Sequence, residues 1–223
     1  MYKLFLKRLL DFLLALFALI VLLPLLIPVC IILLLTGEHE VFYFQERIGY
    51  QNKPFFIWKF ATMVKNSPNI GNGLMTTRND PRVLPFGRFL RKTKINELPQ
   101  IINILIGDMS IVGPRPLVDK TFDPYPEYVK ETIYNVKPGL TGIGSIVFRD
   151  EEKLISETNL PKEEFYANYI SPYKGELELW YQKNISLLTD IKLIFLTAWV
   201  IFFPQSNLVY TWFKDLPERK QKH

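Results

Sequence analysis

Apolar positions are concentrated rather than spread along the chain. From Phe12 to Gly37 no residue is charged and nearly every side chain is hydrophobic. That run exceeds the roughly 20 residues needed to cross a bilayer. Lys3, Lys7 and Arg8 precede it and Glu38 and Glu40 follow it, an asymmetry that places the N-terminal end in the cytoplasm. The run is too long for a secretory signal and no small-x-small cleavage site follows, so it is expected to be retained. Pro24 lies mid-run with Pro28 one turn later. Each lacks an N–H and crowds the carbonyl four residues back, which predicts a kink near Ile20–Pro24. A straight spanning helix and a hairpin that dips into the membrane and returns both fit this pattern, because membrane helices tolerate proline.

Beyond the run the pattern changes to short mixed elements. Phe42–Gln45 and Pro54–Phe60 read as aromatic strands around a turn at Gly49–Lys53. Asn66–Asp80, with Ser67-Pro68 and Gly71-Asn72-Gly73, reads as a polar loop. Gly87–Lys92 is basic. A helix is predicted from Asn96 to Gly107, capped by Asn96, with Pro99 in its first turn and Gly107 at its end. Leu98, Ile101, Ile102 and Leu105 would form its apolar face. Val112–Pro116 is a proline-braced basic loop, and Val129–Val136 leads into a turn at Lys137–Gly142. Glu163–Ile170 reads as a short helix. Ile191–Phe203 is apolar but short for a span, so it reads equally as an interfacial helix or a core helix. The tail from Lys214 is basic and either rests on anionic headgroups or is solvated. No internal repeat is visible.

The 223 residues suit one domain plus an accessory segment. A net charge of +5 and a pI of about 9.1 favour anionic partners. Nucleic acid is the weaker choice, because no Arg/Lys tract with interleaved aromatics occurs. Cys30 is the single cysteine, which excludes a disulfide framework or a cysteine metal cluster.

Cationic residues recur near loops and the predicted helix start: Lys59, Arg88 with Arg91, and Arg115. Arg forks match phosphate oxygens pairwise, while Lys supplies a point charge. The start of the Asn96 helix adds free N–H groups and the positive end of the dipole. Glu97 at that point can ligate Mg²⁺ or act as a base. Arg91, Glu97 and Arg115 around one helix start point to phosphate chemistry.

These segments, in this order, resemble the monotopic phosphoglycosyl transferases, or bacterial sugar transferases. The matching strings run from Lys7-Arg8-x-x-Asp11 to Asp190-x-Lys192. Between them lie Phe44-Gln45-Glu46-Arg47-x-Gly49, Lys59-Phe60-x-Thr62-Met63 and Asp80-Pro81-Arg82. Gly87-Arg88-Phe89-Leu90-Arg91-Lys92, Glu97-Leu98-Pro99-Gln100 and Gly107-Asp108-Met109-Ser110 follow. Gly113-Pro114-Arg115-Pro116 and Lys137-Pro138-Gly139-Leu140-Thr141-Gly142 complete the set. The resemblance implies an α+β fold: a re-entrant membrane helix–break–helix with its break at Pro24, then a small mixed α/β domain with interfacial amphipathic helices. The expected boundaries are 1–37 for the membrane helix, 38–205 for the transferase domain and 206–223 for a basic tail. The domain would face the cytoplasm at the inner leaflet of the bacterial inner membrane. It would use Mg²⁺ to move a sugar 1-phosphate from a UDP-sugar to undecaprenyl phosphate, initiating exopolysaccharide, O-antigen or glycoprotein glycan assembly. Lys59, Arg88, Arg91 and Arg115 would hold phosphates, and Glu97 a metal. A homodimer or a partner glycosyltransferase is a further expectation.

The chain departs from the family pattern at four places. Leu23 replaces a frequent Ser before the break, and Ala61 replaces a common Arg or Lys. Ile143–Glu151 replaces an Ala-Gln-Val-Asn-Gly-Arg type of segment expected near sugar or nucleotide. Asn96 stands where the family has its nucleophilic Asp, and an amide oxygen is a poor nucleophile and a weaker Mg²⁺ ligand. Three routes stay open. The chain transfers phosphosugar with Glu97 or Asp108 as nucleophile or by direct attack of the lipid phosphate; it runs related chemistry on another substrate; or it binds lipid phosphate, nucleotide sugar or a partner glycosyltransferase without catalysis.

Overall fold

A computed structural model describes residues 2–70 and 80–219. The sequence-predicted turn at residues 71–73 and the basic residues Lys220 and Lys222 lie outside them. One π-helical turn leads into helix α1 (Lys7–Leu35). The hairpin of β1 (Phe42–Ile48) and β2 (Pro54–Phe60) follows, antiparallel, with Tyr43 opposite Lys59. Next come α2 (Pro85–Lys92), α3 (Gln100–Ile106) and β3 (Ser110–Val112). Two single-turn helices, α4 (Asp119–Phe122) and α5 (Glu127–Lys130), precede β4 (Gly139–Thr141), which pairs in parallel with β3. The chain ends in α6 (Ile143–Val147), α7 (Glu151–Glu157), α8 (Lys162–Phe165), α9 (Ser171–Lys183), α10 (Leu187–Phe202) and α11 (Leu208–Trp212). The fold is mixed α/β with two small two-stranded sheets.

Among the described residues, α1 is the one helix long and apolar enough to cross a membrane. It runs without interruption through Pro24 and Pro28, so the helix–break–helix expected at Pro24 is not shown. The body holds this helix at both ends. Near its start, Lys7 pairs with Asp190 at 2.6 Å, and Arg8 donates to the carbonyls of Ile104 and Leu105. Asp11, buried, accepts from Ser110 Oγ at 2.8 Å and from the Ile111 N–H at 3.0 Å. Near its end, Leu26, Val29 and Leu33 are buried in one cluster with Phe60 and Leu90. Between the two, Ala15 packs with Ile57, Ile101, Ile104 and Met109. The opposite side stays open, with Phe12, Phe17, Ile20, Val21, Ile27 and Ile31 among the exposed residues.

Asp190 organises the first of these contacts. It also accepts from Tyr2 at 2.6 Å and from Tyr181 at 2.7 Å, and it is buried. Removing one partner of a buried ion pair strands the other charge. Asp190→Ala is therefore expected to cost about 3 kcal/mol, read as a lower thermal unfolding midpoint in detergent, with Asp190→Asn costing less.

The Asn96 helix departs from its sequence reading. Residues 95–97 form a 3₁₀ turn after Lys94, whose φ is +60°, and α3 begins only at Gln100. Asn96 makes no capping hydrogen bond. The later start rotates the buried face, which comprises Gln100, Ile101, Asn103 and Ile104 in place of the Leu98, Ile101, Ile102, Leu105 stripe. Asn103 tolerates burial because its amide is matched to the hairpin: Oδ1 accepts from the Trp58 N–H and Nδ2 donates to the Phe56 carbonyl. Gly107 ends the helix with φ +100°, as the sequence predicts.

The Glu163–Ile170 helix continues through a π turn into α9, whose Leu177, Trp180 and Tyr181 enter the main core. Helix α10 is core on one side and open on the other. Leu193, Leu196 and Val200 are buried, while Leu188, Ile191, Phe195 and Phe202 are exposed. The stretch expected as a basic tail is packed: Val209 and Phe213 are core residues, and Asp215 accepts from the Trp180 indole.

Candidate functional site

The hairpin's inner side, the 3₁₀ turn and the loop after β3 converge on one carboxylate. Glu97 Oε1 lies 3.8 Å from Lys59 Nζ and 3.7 Å from an Arg115 guanidinium nitrogen. Lys59 is on β2, on the same side as the buried Ile57. Arg115 follows β3 in a loop fixed through its backbone. The Gly139 N–H donates to the Pro114 carbonyl at 2.8 Å, and Tyr134 donates its hydroxyl to the Arg115 carbonyl at 2.8 Å. Arg91 arrives from α2, reaching toward Thr62 Oγ1 at 3.5 Å. Gly87 allows that approach, since a Cβ there would sit 2.2 Å from the Thr62 carbonyl oxygen.

A residue that sequence reasoning missed completes the group. Arg47, on β1, donates to the Pro116 carbonyl at 3.2 Å and to Gln45 Oε1 at 2.7 Å, and its Nε is buried without a partner. The string Gln45-Glu46-Arg47 was visible, but only the pairing register puts Arg47 on the side of Lys59.

The charges perturb one another. Burial, reinforced by Arg47, Arg115 and Arg91, pushes the Lys59 ammonium down to about 7, against the opposing pull of Glu97. Burial and the neighbouring Arg115 lower Arg47 to about 10. Burial opposes ionisation of Glu97, but Arg115, Lys59, Lys94 and Arg47 together hold it below the usual carboxylate range. The surplus of cations around a single carboxylate suits a dianionic or more highly charged ligand. Lys59 loses its charge as pH rises through about 7, so affinity for a multiply charged phosphate anion such as pyrophosphate is expected to fall between pH 6 and 8. Isothermal titration should show this fall flattened in Lys59→Met.

Asn96 stands beside Glu97, buried, with its Oδ1 lacking any hydrogen-bond partner. Asp108 does not join them. It lies past the far end of α3 from Glu97, about 10 Å of helix away, where it accepts a 3.4 Å contact from Asn103 and faces Lys137. Arg88 is exposed on α2 and makes no ion pair with Glu97. No cluster of three or more metal-ligating residues of the His, Cys, Asp and Glu type occurs among the described residues.

Fold and site together define a mixed α/β protein with, among the described residues, one helix long and apolar enough to cross a membrane and a cationic cluster built around one carboxylate. The chain belongs to the bacterial sugar transferase family, whose model matches residues 2–204. It is 36% identical over 195 residues to the UDP-glucose:undecaprenyl-phosphate glucose-1-phosphate transferase of Escherichia coli K12, covering 86% of this chain and 39% of that protein. It is 33% identical over 211 residues to the undecaprenyl-phosphate galactose phosphotransferase of Salmonella typhimurium, covering 88% of this chain and 40% of that one. The exopolysaccharide production protein ExoY of Sinorhizobium fredii is 34% identical, with 86% of this chain and 83% of the relative covered. The chain thus spans about 40% of the length of the first two relatives and most of the third.

Proposed function

We propose that this chain transfers a sugar 1-phosphate from a UDP-sugar to undecaprenyl phosphate and so initiates assembly of a surface glycan. The observation that carries the reading is the pocket of Lys59 and Arg115 on one oxygen of Glu97, with Arg91 and Arg47 close by. In the transfer, an oxygen of the lipid phosphate bonds to the phosphorus bearing the sugar. The bond from that phosphorus to the bridging oxygen breaks, and UMP leaves with the electron pair. Such a displacement depends on alignment and on neutralising phosphate charge, which is what clustered cations supply. Arg115 and Arg91 hold the pyrophosphate, while Lys59 gains its proton as the anion enters. Asp108 is too far along α3 to act on the same phosphorus as Glu97.

Mg²⁺ fits this pocket in a limited way. Glu97 offers a carboxylate and Asn96 a buried, unpartnered amide oxygen, two protein oxygens of the type that Mg²⁺ supplements with water and substrate phosphates. Bound there, the ion would neutralise pyrophosphate charge.

The grip on α1 supports an arrangement in which the chain stays on one face of the membrane. A helix of 29 residues is about 44 Å long, against a hydrocarbon core of about 30 Å. Crossing the bilayer upright would carry its Leu33 end away from the side holding Lys7. Because one body packs against both ends, α1 stays on one face, its open side in the inner leaflet. The polar domain then meets the nucleotide-linked donor in the cytoplasm.

A second reading is favoured by Asn96: a family member that binds polyprenyl phosphate or nucleotide sugar without catalysis. Purified protein with Mg²⁺, undecaprenyl phosphate and a panel of UDP-sugars is expected to release UMP. No UMP from any donor, with UDP binding retained, decides for the second reading. Tags at both ends are expected to be accessible only from the cytoplasm, and labelling of a C-terminal tag from outside whole cells would overturn the one-face arrangement.

A further inference from the structure

Away from the cationic pocket, β3, β4, α6 and α10 enclose a groove of about 350 Å³. Its walls are largely hydrocarbon: Ile146, Ile194, Val200 and Ile201 contribute from the two helices. Two of its hydroxyls are already committed, Thr141 and Thr197 to each other at 2.6 Å, with Thr197 also donating to the Leu193 carbonyl. Ser145 Oγ alone among the wall hydroxyls is buried without a partner. A wall so poor in free polar groups does not suit a water-soluble ligand.

Three features identify the occupant. Helix α10, which forms one wall, turns an apolar face outward at Leu188, Ile191 and Phe202, so the groove adjoins a surface suited to lipid. Arg149 stands on the rim, exposed and without an ion pair among the described residues. The groove also adjoins the pocket through the chain itself. Ile111 in its wall is four residues before Arg115, which is at most about 14 Å even fully extended. An apolar channel beside a helix with an outward apolar face, with an unpaired cation at its mouth, is the complement of an anionic amphiphile.

We propose that this groove seats the hydrocarbon chain of the lipid phosphate acceptor, with Arg149 facing its headgroup. The proposal rests on the reading above that the acceptor is a polyprenyl phosphate. Arg149 lies in the Ile143–Glu151 segment where the sequence departs from the family pattern, so the departure remodels the acceptor's side of the site.

The test uses the full chain in nanodiscs and a polyprenyl phosphate carrying a diazirine on its isoprenoid chain, with adducts mapped by mass spectrometry. Adducts are expected on α10 and α6 and should vanish under excess unlabelled polyprenyl phosphate. Ile194→Trp, which narrows the groove from a half-exposed position, should cut labelling about tenfold. Arg149→Ala should weaken capture about tenfold, the scale of one lost charge-assisted contact, while UDP binding stays within about twofold. Adducts confined to α1 would overturn the proposal. So would equal weakening of UDP binding by Arg149→Ala, which would assign that residue to the donor. UMP release with adducts elsewhere removes the groove and keeps the transfer. Adducts on α10 without UMP release from any donor keep the groove and remove the transfer.

Discussion

Asn96→Asp is expected to raise UMP release about 100-fold or more over the natural chain, the scale on which nucleophiles matter in such enzymes. The exchange is nearly isosteric, and the amide oxygen it replaces has no partner to lose. The new carboxylate would enter a pocket where Lys59, Arg115, Arg91 and Arg47 outnumber Glu97, so its charge is supported on arrival. Lys59 should respond as well, with its depressed ammonium pKa moving up as the added negative charge favours the protonated form. UMP release by the natural chain that is unchanged in Asn96→Asp would mean that direct attack of the lipid phosphate stays the faster route even beside a carboxylate at position 96. Silence from both proteins, with UDP still bound, would make this a binding protein. The same assay with Arg115→Ala controls for the pocket itself.

Glu178→Gln is expected to make the protein more stable at high pH, by on the order of 4 kcal/mol at pH 9. Glu178 is buried in α9, and both of its oxygens lack an aligned hydrogen-bond partner. It abuts backbone at Gly144, where a Cβ would sit 2.3 Å from Oε1, and it faces Lys174 and the Arg115 backbone. Burial pushes its carboxyl up to about 8, outweighing the pull of Lys174. Between the ordinary carboxylate value and about 8, the folded chain holds a proton that the unfolded chain has released. Stability therefore falls as pH rises through that window and levels off above it. Glutamine fills the same space without ionising. Urea unfolding of both proteins from pH 5 to 9 reads the difference; parallel curves would mean that Glu178 ionises freely in the fold.

Much of the architecture was legible because it rests on local pattern. The hairpin strands declare themselves by aromatic content, and α1 by an uncharged run. Gly107 marked the end of α3 correctly, since only its left-handed backbone is required there. The start of α3 was not legible. Lys94 takes a left-handed turn that lysine rarely signals, so the helix begins late, and the buried stripe rotates to include Asn103. Helix α9 was missed because its buried side carries Lys174 and Glu178 among the aromatics, which erases the apolar period. At the site, Lys59, Arg91, Glu97 and Arg115 stood out as charges near a helix start. Asp108 looked equally close in sequence, but a helix lies between. Arg47 needed the strand register. The groove beside α10 has no sequence signature, because its walls come from four separate elements.

The hydrogen bonds from Arg8 to the last carbonyls of α3 have a mechanical consequence. Arg8 bolts the greasy rod to the short helix that begins beside Glu97, and Asp11 bolts it to the strand that leads to Arg115, so rod and cationic cluster move as one piece. In the one-face arrangement proposed above, the depth of α1 in the leaflet would fix the height of Lys59 and Arg115 above the headgroups. That depth would then decide whether the proposed donor and acceptor meet at one level.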